Sequence, residues 1–216
     1  MVNHSTLYRT MLQQGLTDLS LQLSDETQEK LLQYLYLLEK WNQAYNLTAV
    51  REIKQMIPKH LLDSLAILPW VQPSRILDVG TGAGLPGVVW AITQPMWHCV
   101  LLDSNAKKIR FIQQVIIELG LNNVETVCTR LEKYQPQQPF DSIVSRAFAE
   151  LVTFYHLSQQ WCAPAGCLLA MKGIYPEQEL TALRDFPMEI TSYPVTVPQL
   201  DAQRHLIVMR VGENRK

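Results

Sequence analysis

The chain predicts an α/β fold, a mostly parallel, doubly wound sheet with a helical region ahead of it. Three observations carry that reading. The sequence changes rhythm at Arg75, from long amphipathic stretches to short apolar runs separated by helical ones. No glycine lies between Gly15 and Gly80, after which Gly80, Gly82, Gly84 and Gly87 come in quick succession. That glycine cluster follows directly on the first apolar run, where strand-to-helix turns bind ligands in such sheets.

Residues 1–70 read as a helical region packing on the core, and 71–216 as the sheet domain. Ser24 followed by Asp25 and Glu26 is an N-cap signal with acidic residues at the positive helix end. Leu31, Tyr34, Leu35, Leu38 and Trp41 then recur at helical spacing and form one apolar stripe. A second helix is predicted over Met56–Leu68, with Ile57, Leu61, Leu65 and Leu68 on one side. Strands follow at Arg75–Val79, His98–Asp103, Val124–Cys128, Phe140–Ser145, Gly166–Lys172 and His205–Arg210. Ala106–Leu119 reads as a helix with Ile109, Ile112, Val115, Ile116 and Leu119 inward and Gly120 as its stop. Pro86 suits the first turn of a helix, where a missing N–H is harmless.

Composition narrows the function. With 216 residues, 47% of them hydrophobic, the chain supports one full α/β domain with an extra element. The first residues lack the apolar core of a signal peptide, and Leu65–Val71 is too short to span a bilayer, so a cytoplasmic, membrane-free protein is expected. Cys99, Cys128, Cys162 and Cys167 form no CxxC pair, so no metal is expected. A net charge of −1 gives no general attraction for nucleic acid and leaves a local basic patch as the route to one.

The stretch Asp78-Val79-Gly80-Thr81-Gly82-Ala83-Gly84 poses the ligand question. Read from Gly82 it fits the dinucleotide fingerprint, whose backbone amides cradle a pyrophosphate. Read from Asp78 it places a carboxylate where two phosphates would be repelled and a sulfonium and an ammonium favoured, which turns the loop towards S-adenosylmethionine. Asp103, at the end of the second strand, supplies an acceptor for ribose hydroxyls, which both ligands carry. Gly80, Gly82 and Gly84 allow close approach of the backbone. The bland alternative is a tight strand–helix turn with no ligand.

DVGTGAGLPG (78–87), LLDS (101–104), TRLE (129–132) and VSRAF (144–148), with KWNQAYNLTAVRE (40–52), KHLLDSL (59–65), MKG (171–173) and RHLIVMR (204–210), together resemble the RsmG (GidB) family of bacterial small-subunit rRNA methyltransferases. The resemblance implies a Rossmann-like S-adenosylmethionine-dependent methyltransferase fold. It further implies methyl transfer to N7 of a guanine in the 530 loop of 16S rRNA, on RNA or the small subunit. Nothing in the sequence suggests an obligate dimer, so a monomer with no stable protein partner is expected. Carried onto this chain, it implies cofactor contacts from Gly80 and Leu85, adenine contacts from Leu131 and Glu132, and Arg146 facing cofactor and reaction centre.

Arg146 reads either as a ligand for a carboxylate, a phosphate or guanine O6, or as a rim arginine. On the RNA side the candidates are Asn46, Arg51, Lys54, Lys59, His60, Lys172 and Arg204. Asn42 and Asn46, beside Trp41 and Tyr45, read as base contacts or as core. Lys107, Lys108 and Arg110 read as a solvated helix face. Two other activities fit the residues: a methyltransferase of a protein or small molecule, and a nicotinamide-dependent oxidoreductase or non-catalytic nucleotide-binding module.

Overall fold

The structure, a computed structural model, describes residues 4–146 and 149–211. Two helices open it, α1 (His4–Asp18) and α2 (Asp25–Tyr45). Ser24 caps α2 by accepting the Thr27 amide at 3.1 Å, and the helix ends at Asn46 in a left-handed conformation. Leu31, Tyr34, Leu35 and Leu38 of the predicted stripe are buried, and Trp41 is half-buried beside them. Asn42 is buried too. It donates to the Val50 carbonyl at 3.1 Å and accepts the Thr48 amide at 2.9 Å, so it pins the turn after α2 and is not open to a base.

The helix predicted over Met56–Leu68 is a composite. α3 (Ile53–Met56) widens into a π turn over Ile57–Leu62, narrows to α4 (Asp63–Leu65), and ends in a 3-10 turn over Leu68–Trp70. Pro58 has no N–H to donate, which breaks the regular ladder in this segment.

Among the described residues the sheet has seven strands, β1 (Arg75–Val79), β2 (His98–Asp103), β3 (Val124–Cys128), β4 (Phe140–Ser145), β5 (Cys162–Lys172), β6 (Met188–Pro194) and β7 (His205–Val211). Their order is β3-β2-β1-β4-β5-β7-β6. β1 to β5 run parallel, and β7 is antiparallel to both β5 and β6. The sequence reading contains six strands and lacks β6. That strand lies at the sheet edge with every residue at least partly exposed, so it has no apolar run to announce it. β5 begins at Cys162, four residues before the predicted start.

Alternation along the strands sends side chains to two layers. Ile76, Cys99, Leu101, Val144 and Leu169 face one side, where they join α1, α2, α5 (Gly87–Thr93) and α6 (Ala106–Leu119) in one apolar cluster. Leu77, Val79, Val100, Leu102 and Ile143 face the other, packed against α7 (Leu151–Ser158) and Leu183, which follows α8 (Glu177–Ala182). α6 buries Ile109, Ile112, Val115 and Leu119 as predicted, and Phe111 besides, and stops at Gly120 with φ 62°.

The helical region and the sheet therefore share a core layer. Polar ties reinforce it: the Tyr34 hydroxyl donates to the Ala83 carbonyl at 2.9 Å, and the Trp90 indole N–H donates to the Ser64 carbonyl at 2.8 Å, both buried. Among the described residues no helix is long and apolar enough to cross a membrane. Replacing Tyr34 with Phe leaves the Ala83 carbonyl without that donor, and a buried carbonyl without a partner costs about 1–3 kcal/mol. Thermal melts of Tyr34→Phe are expected to shift down by roughly 2–10 °C.

Candidate functional site

β1 delivers the chain to the glycine loop, which turns at Gly80 with φ 66°. The Thr81 amide donates to the Leu102 carbonyl at 3.0 Å, hooking the loop to the end of β2. Below it, Asp78 Oδ2 accepts the Thr81 hydroxyl at 2.6 Å and the Gly87 amide at 2.8 Å. One carboxylate oxygen thus closes the loop from both ends. Asp78 is fully buried, and its Oδ1 has no hydrogen-bond partner among the described residues. Burial pushes its pKa up to about 6, against the two hydrogen bonds and the charge of Arg146.

That placement adds a structural task to the sequence reading of Asp78 as a carboxylate offered to a cationic ligand, since one oxygen braces the loop while the other has no partner among the described residues. The side chain sits on the face of β1 that packs under the loop, and the loop itself is its partner. The backbone adds to the case against a pyrophosphate. The amides of Thr81, Gly82, Gly84, Leu85 and Gly87 already donate within the site, to Leu102, Asp103, Thr81, Thr81 and Asp78. A phosphate cradle needs such donors free. Pro86 occupies the N-cap of α5, one residue before its expected place in the first turn. Gly87 is tightly enclosed, because a Cβ would overlap the end of the Leu101 side chain and lie 2.8 Å from Asp78 Oδ2.

A cleft of about 380 Å³ opens at the carboxyl ends of β1, β2 and β3, bordered by Gly80, Asp103, Leu131 and Glu132. Asp103 is 6% exposed. Its Oδ2 accepts the Gly82 amide at 3.0 Å, its Oδ1 accepts the Asn105 amide at 2.8 Å, and Lys108 Nζ stands 3.6 Å from Oδ2. The carboxylate is held in one orientation at the cavity wall. Leu131 begins a 3-10 turn, Leu131–Lys133, with its side chain buried, while Glu132 is exposed at the rim. Lys108, read from sequence as part of a solvated helix face, also borders the cleft.

Of the residues expected at the cofactor, four line this cleft and the others have different places. Gly82 lies beneath it through its bond to Asp103, and Gly84 and buried Leu85 belong to the loop framework. Arg146 stands in a second cleft, of about 360 Å³, with Lys59, Asp63, Lys172 and Arg204. Arg146 follows β4, Lys172 ends β5 and Arg204 precedes β7, so this cleft continues along the same sheet edge. Lys59 and Asp63 come from the helical region.

Asp63 is the residue the sequence reading missed. It is 4% exposed, its Oδ1 accepts Arg204 Nε–H at 2.8 Å, and its Oδ2 lies 3.6 Å from an Arg146 guanidinium nitrogen. Burial raises its pKa, and the two arginines oppose the rise. A charged residue within HLLDSL was the available signal, since a carboxylate in an apolar helical run needs a partner. Arg146 also donates to the Lys59 carbonyl at 3.2 Å, and Lys172 pairs with Glu179 at 2.8 Å.

Three of the RNA candidates, Lys59, Lys172 and Arg204, therefore meet in one cleft, and others do not. Asn46 and Arg51 hydrogen-bond to each other at 2.9 Å on the exposed turn after α2 and border neither cleft. His60 is 3% exposed, with Nε2 3.1 Å from the Thr48 hydroxyl, so it is a core histidine and not an RNA contact. Burial, helped by the charge of Arg146, lowers its pKa to about 4. The last two residues of VSRAF, Ala147 and Phe148, lie outside the described residues. Among the described residues no group of three His, Cys, Asp or Glu is arranged to hold a metal.

The family model GidB, rRNA small subunit methyltransferase G, matches residues 27–207. The chain belongs to this family. It is 50% identical over 200 residues to the ribosomal RNA small subunit methyltransferase G of Nitrosococcus oceani, covering 93% of this chain and 94% of the relative. The same-named protein of Chromobacterium violaceum is 49% identical over 205 residues, covering 94% and 98%. In fold the chain is similar to a SAM-dependent methyltransferase from Aquifex aeolicus (TM-score 0.55, 20% identity, 70% of this chain and 91% of that one). It is likewise similar to a SAM-dependent O-methyltransferase from Thermotoga maritima (TM-score 0.58, 16% identity, 77% and 72%).

S-adenosylmethionine is the group named for the structures that share this fold. The residues fit it. Asp103 gives a fixed acceptor for a ribose diol, and the loop amides it would not use are the ones already engaged.

Two measurements follow from this arrangement. Gly87→Ala is expected to cost about 1–3 kcal/mol by overpacking against Leu101 and Asp78, read as a lower denaturant midpoint. His60 is held neutral in the folded state, so its contribution is present above pH 6.5 and lost as pH falls through about 4. Asp78 acts with the opposite sign, its contribution present below pH 3.8 and lost as pH rises through about 6. His60→Gln removes the first limb alone, so between pH 6.5 and 4 it should gain about 3 kcal/mol relative to the parent protein, measured by urea unfolding at each pH.

Proposed function

We propose that this protein transfers a methyl group from S-adenosylmethionine to N7 of a guanine in the 530 loop of 16S rRNA. The observation that carries this reading is the adjacency of two unlike clefts along one sheet edge. One has a fixed carboxylate suited to an adenosine, and the other is lined by Lys59, Arg146, Lys172 and Arg204. Family membership supports the rRNA half. The reaction suits the cytoplasm, where ribosomal subunits and their RNA are found, and the protein acts as a monomer.

The bound cofactor supplies an electrophilic methyl group on a sulfonium. Guanine N7 has a lone pair in the ring plane and no proton to lose, so the site needs no general base. The titratable groups nearby agree with that. Asp63 is occupied by two arginines, and His60 is buried against Thr48. The chain's own work is therefore positioning. Asp103 orients the ribose end, Leu131 and Glu132 bound the base end, and Arg146, just past β4, lines the cationic cleft. Alignment of this kind is worth roughly 7–11 kcal/mol of barrier. Arg146 is suited to a phosphate or to guanine O6, because a donor at N7 would block the nucleophile.

The reading is tested with labelled S-adenosylmethionine and small-subunit RNA from cells lacking this protein, offered both naked and as assembled subunits. Label at N7 of one guanine of the 530 loop is the expected result, whereas label elsewhere, or only on protein or small molecules, refutes it. Separately, Glu132→Gln, exposed at the rim, is expected to weaken cofactor binding about tenfold by calorimetry while leaving the melting temperature unchanged.

A further inference from the structure

The second cleft contains more order than a basic patch requires. Four cations line it or approach it, and two of them are fixed by a single buried carboxylate. Arg204 meets Asp63 Oδ1 through Nε, which leaves Arg204's terminal nitrogens to point elsewhere, and one of them donates to the Gln203 carbonyl at 2.7 Å. Arg146 approaches the other oxygen and is braced again by the Lys59 carbonyl. Among the described residues Lys59 Nζ itself is held only by Gln55, at 3.5 Å. Lys172 is steadied by Glu179 and by the Ala149 carbonyl. Asp63 is nearly inaccessible, whereas the side chains of Arg146 and Arg204 remain 28% and 25% exposed.

We infer that Asp63 is a positioning residue, which divides its two oxygens between Arg204 and Arg146 and so builds, with Lys59, a subsite for an RNA backbone phosphate next to the target guanine. The inference rests on the rRNA reading above. Its logic is that of a rigid fork. A guanidinium tied at one edge keeps its other N–H groups free in a fixed plane, the arrangement that phosphate oxygens recognise. A loose arginine would first have to lose its rotamer freedom on binding.

The competing account is that the cleft attracts RNA by charge alone and that Asp63 is an incidental tie. The two accounts predict opposite signs for Asp63→Asn. The substitution removes a negative charge from the cleft, so attraction by charge alone predicts tighter binding. Loss of the fork predicts weaker binding.

The experiment measures KM for small-subunit RNA at several salt concentrations, with cofactor affinity determined separately by calorimetry. For Asp63→Asn the expected result is a KM about tenfold higher, cofactor affinity within twofold of the parent, and a slope of log KM against log salt reduced by about 0.7, one phosphate contact on a single strand. Arg204→Gln and Lys59→Gln, on partly exposed residues, are expected to lower the same slope, and they carry the test if Asp63→Asn does not fold. Unchanged or tighter RNA binding by Asp63→Asn, or unchanged slopes in both surface variants, overturns the subsite while rRNA methylation by the parent protein stands. Failure of the parent protein to methylate rRNA overturns the reading and the subsite together, so the two failures are distinguished by the parent control.

Discussion

A single carboxylate oxygen holds the site together. Asp78 Oδ2 receives the Thr81 hydroxyl and the Gly87 amide, and so it fixes where the glycine loop starts and where α5 begins. The bond geometry has a price in burial, seen in the upward shift of the Asp78 pKa. It is sustained because the surroundings are closely packed: Leu101 closes one side, and a Cβ at position 87 would crowd both Leu101 and Asp78. Tyr34 supports the loop from the helical side through Ala83. Loop, strand and helical region are therefore one mechanical unit.

Two aspartates on the same face of the sheet do different work because Asp103 lies two residues beyond Leu101, the register partner of Asp78, and so sits further out along the strand direction. Asp78 is the fourth residue of β1 and points into the apolar layer with Ile76. Asp103 is the last residue of β2, where the strand gives way to the cleft, and its oxygens turn to the Gly82 and Asn105 amides. The first shapes the loop, and the second faces the cavity. At the other end of the same edge a third aspartate, Asp63, arranges cations. In each case the acid's effect comes from which donors the fold places around it.

The local elements were legible. The Ser24 cap, the stripe of α2, the inward face and glycine stop of α6, and β1 to β4 are written in short-range patterns, with spacing and capping that demand little from the rest of the chain. Elements whose stability comes from neighbours were not. β6 is an edge strand that gains its bonds from β7, and the segment around Pro58 is shaped by what covers it as much as by propensity. The cationic cleft was half legible, since Lys59, Lys172 and Arg204 were candidates as separate charges, while the carboxylate that unites Arg146 with Arg204 was not.

By itself the sequence determined the alternation of strands and helices, the position of the glycine loop at the end of the first strand, the second-strand acid Asp103 and, through its motifs, the family. These are properties of contiguous residues. Only the tertiary structure decided that one oxygen of Asp78 braces the loop, that His60 and Asn42 are core residues, and that Asp63 meets Arg204, 141 positions away. The physical reason is that burial and partner choice depend on which segments the sheet brings side by side, and strand order β3-β2-β1-β4-β5-β7-β6 is not a local property of any of them.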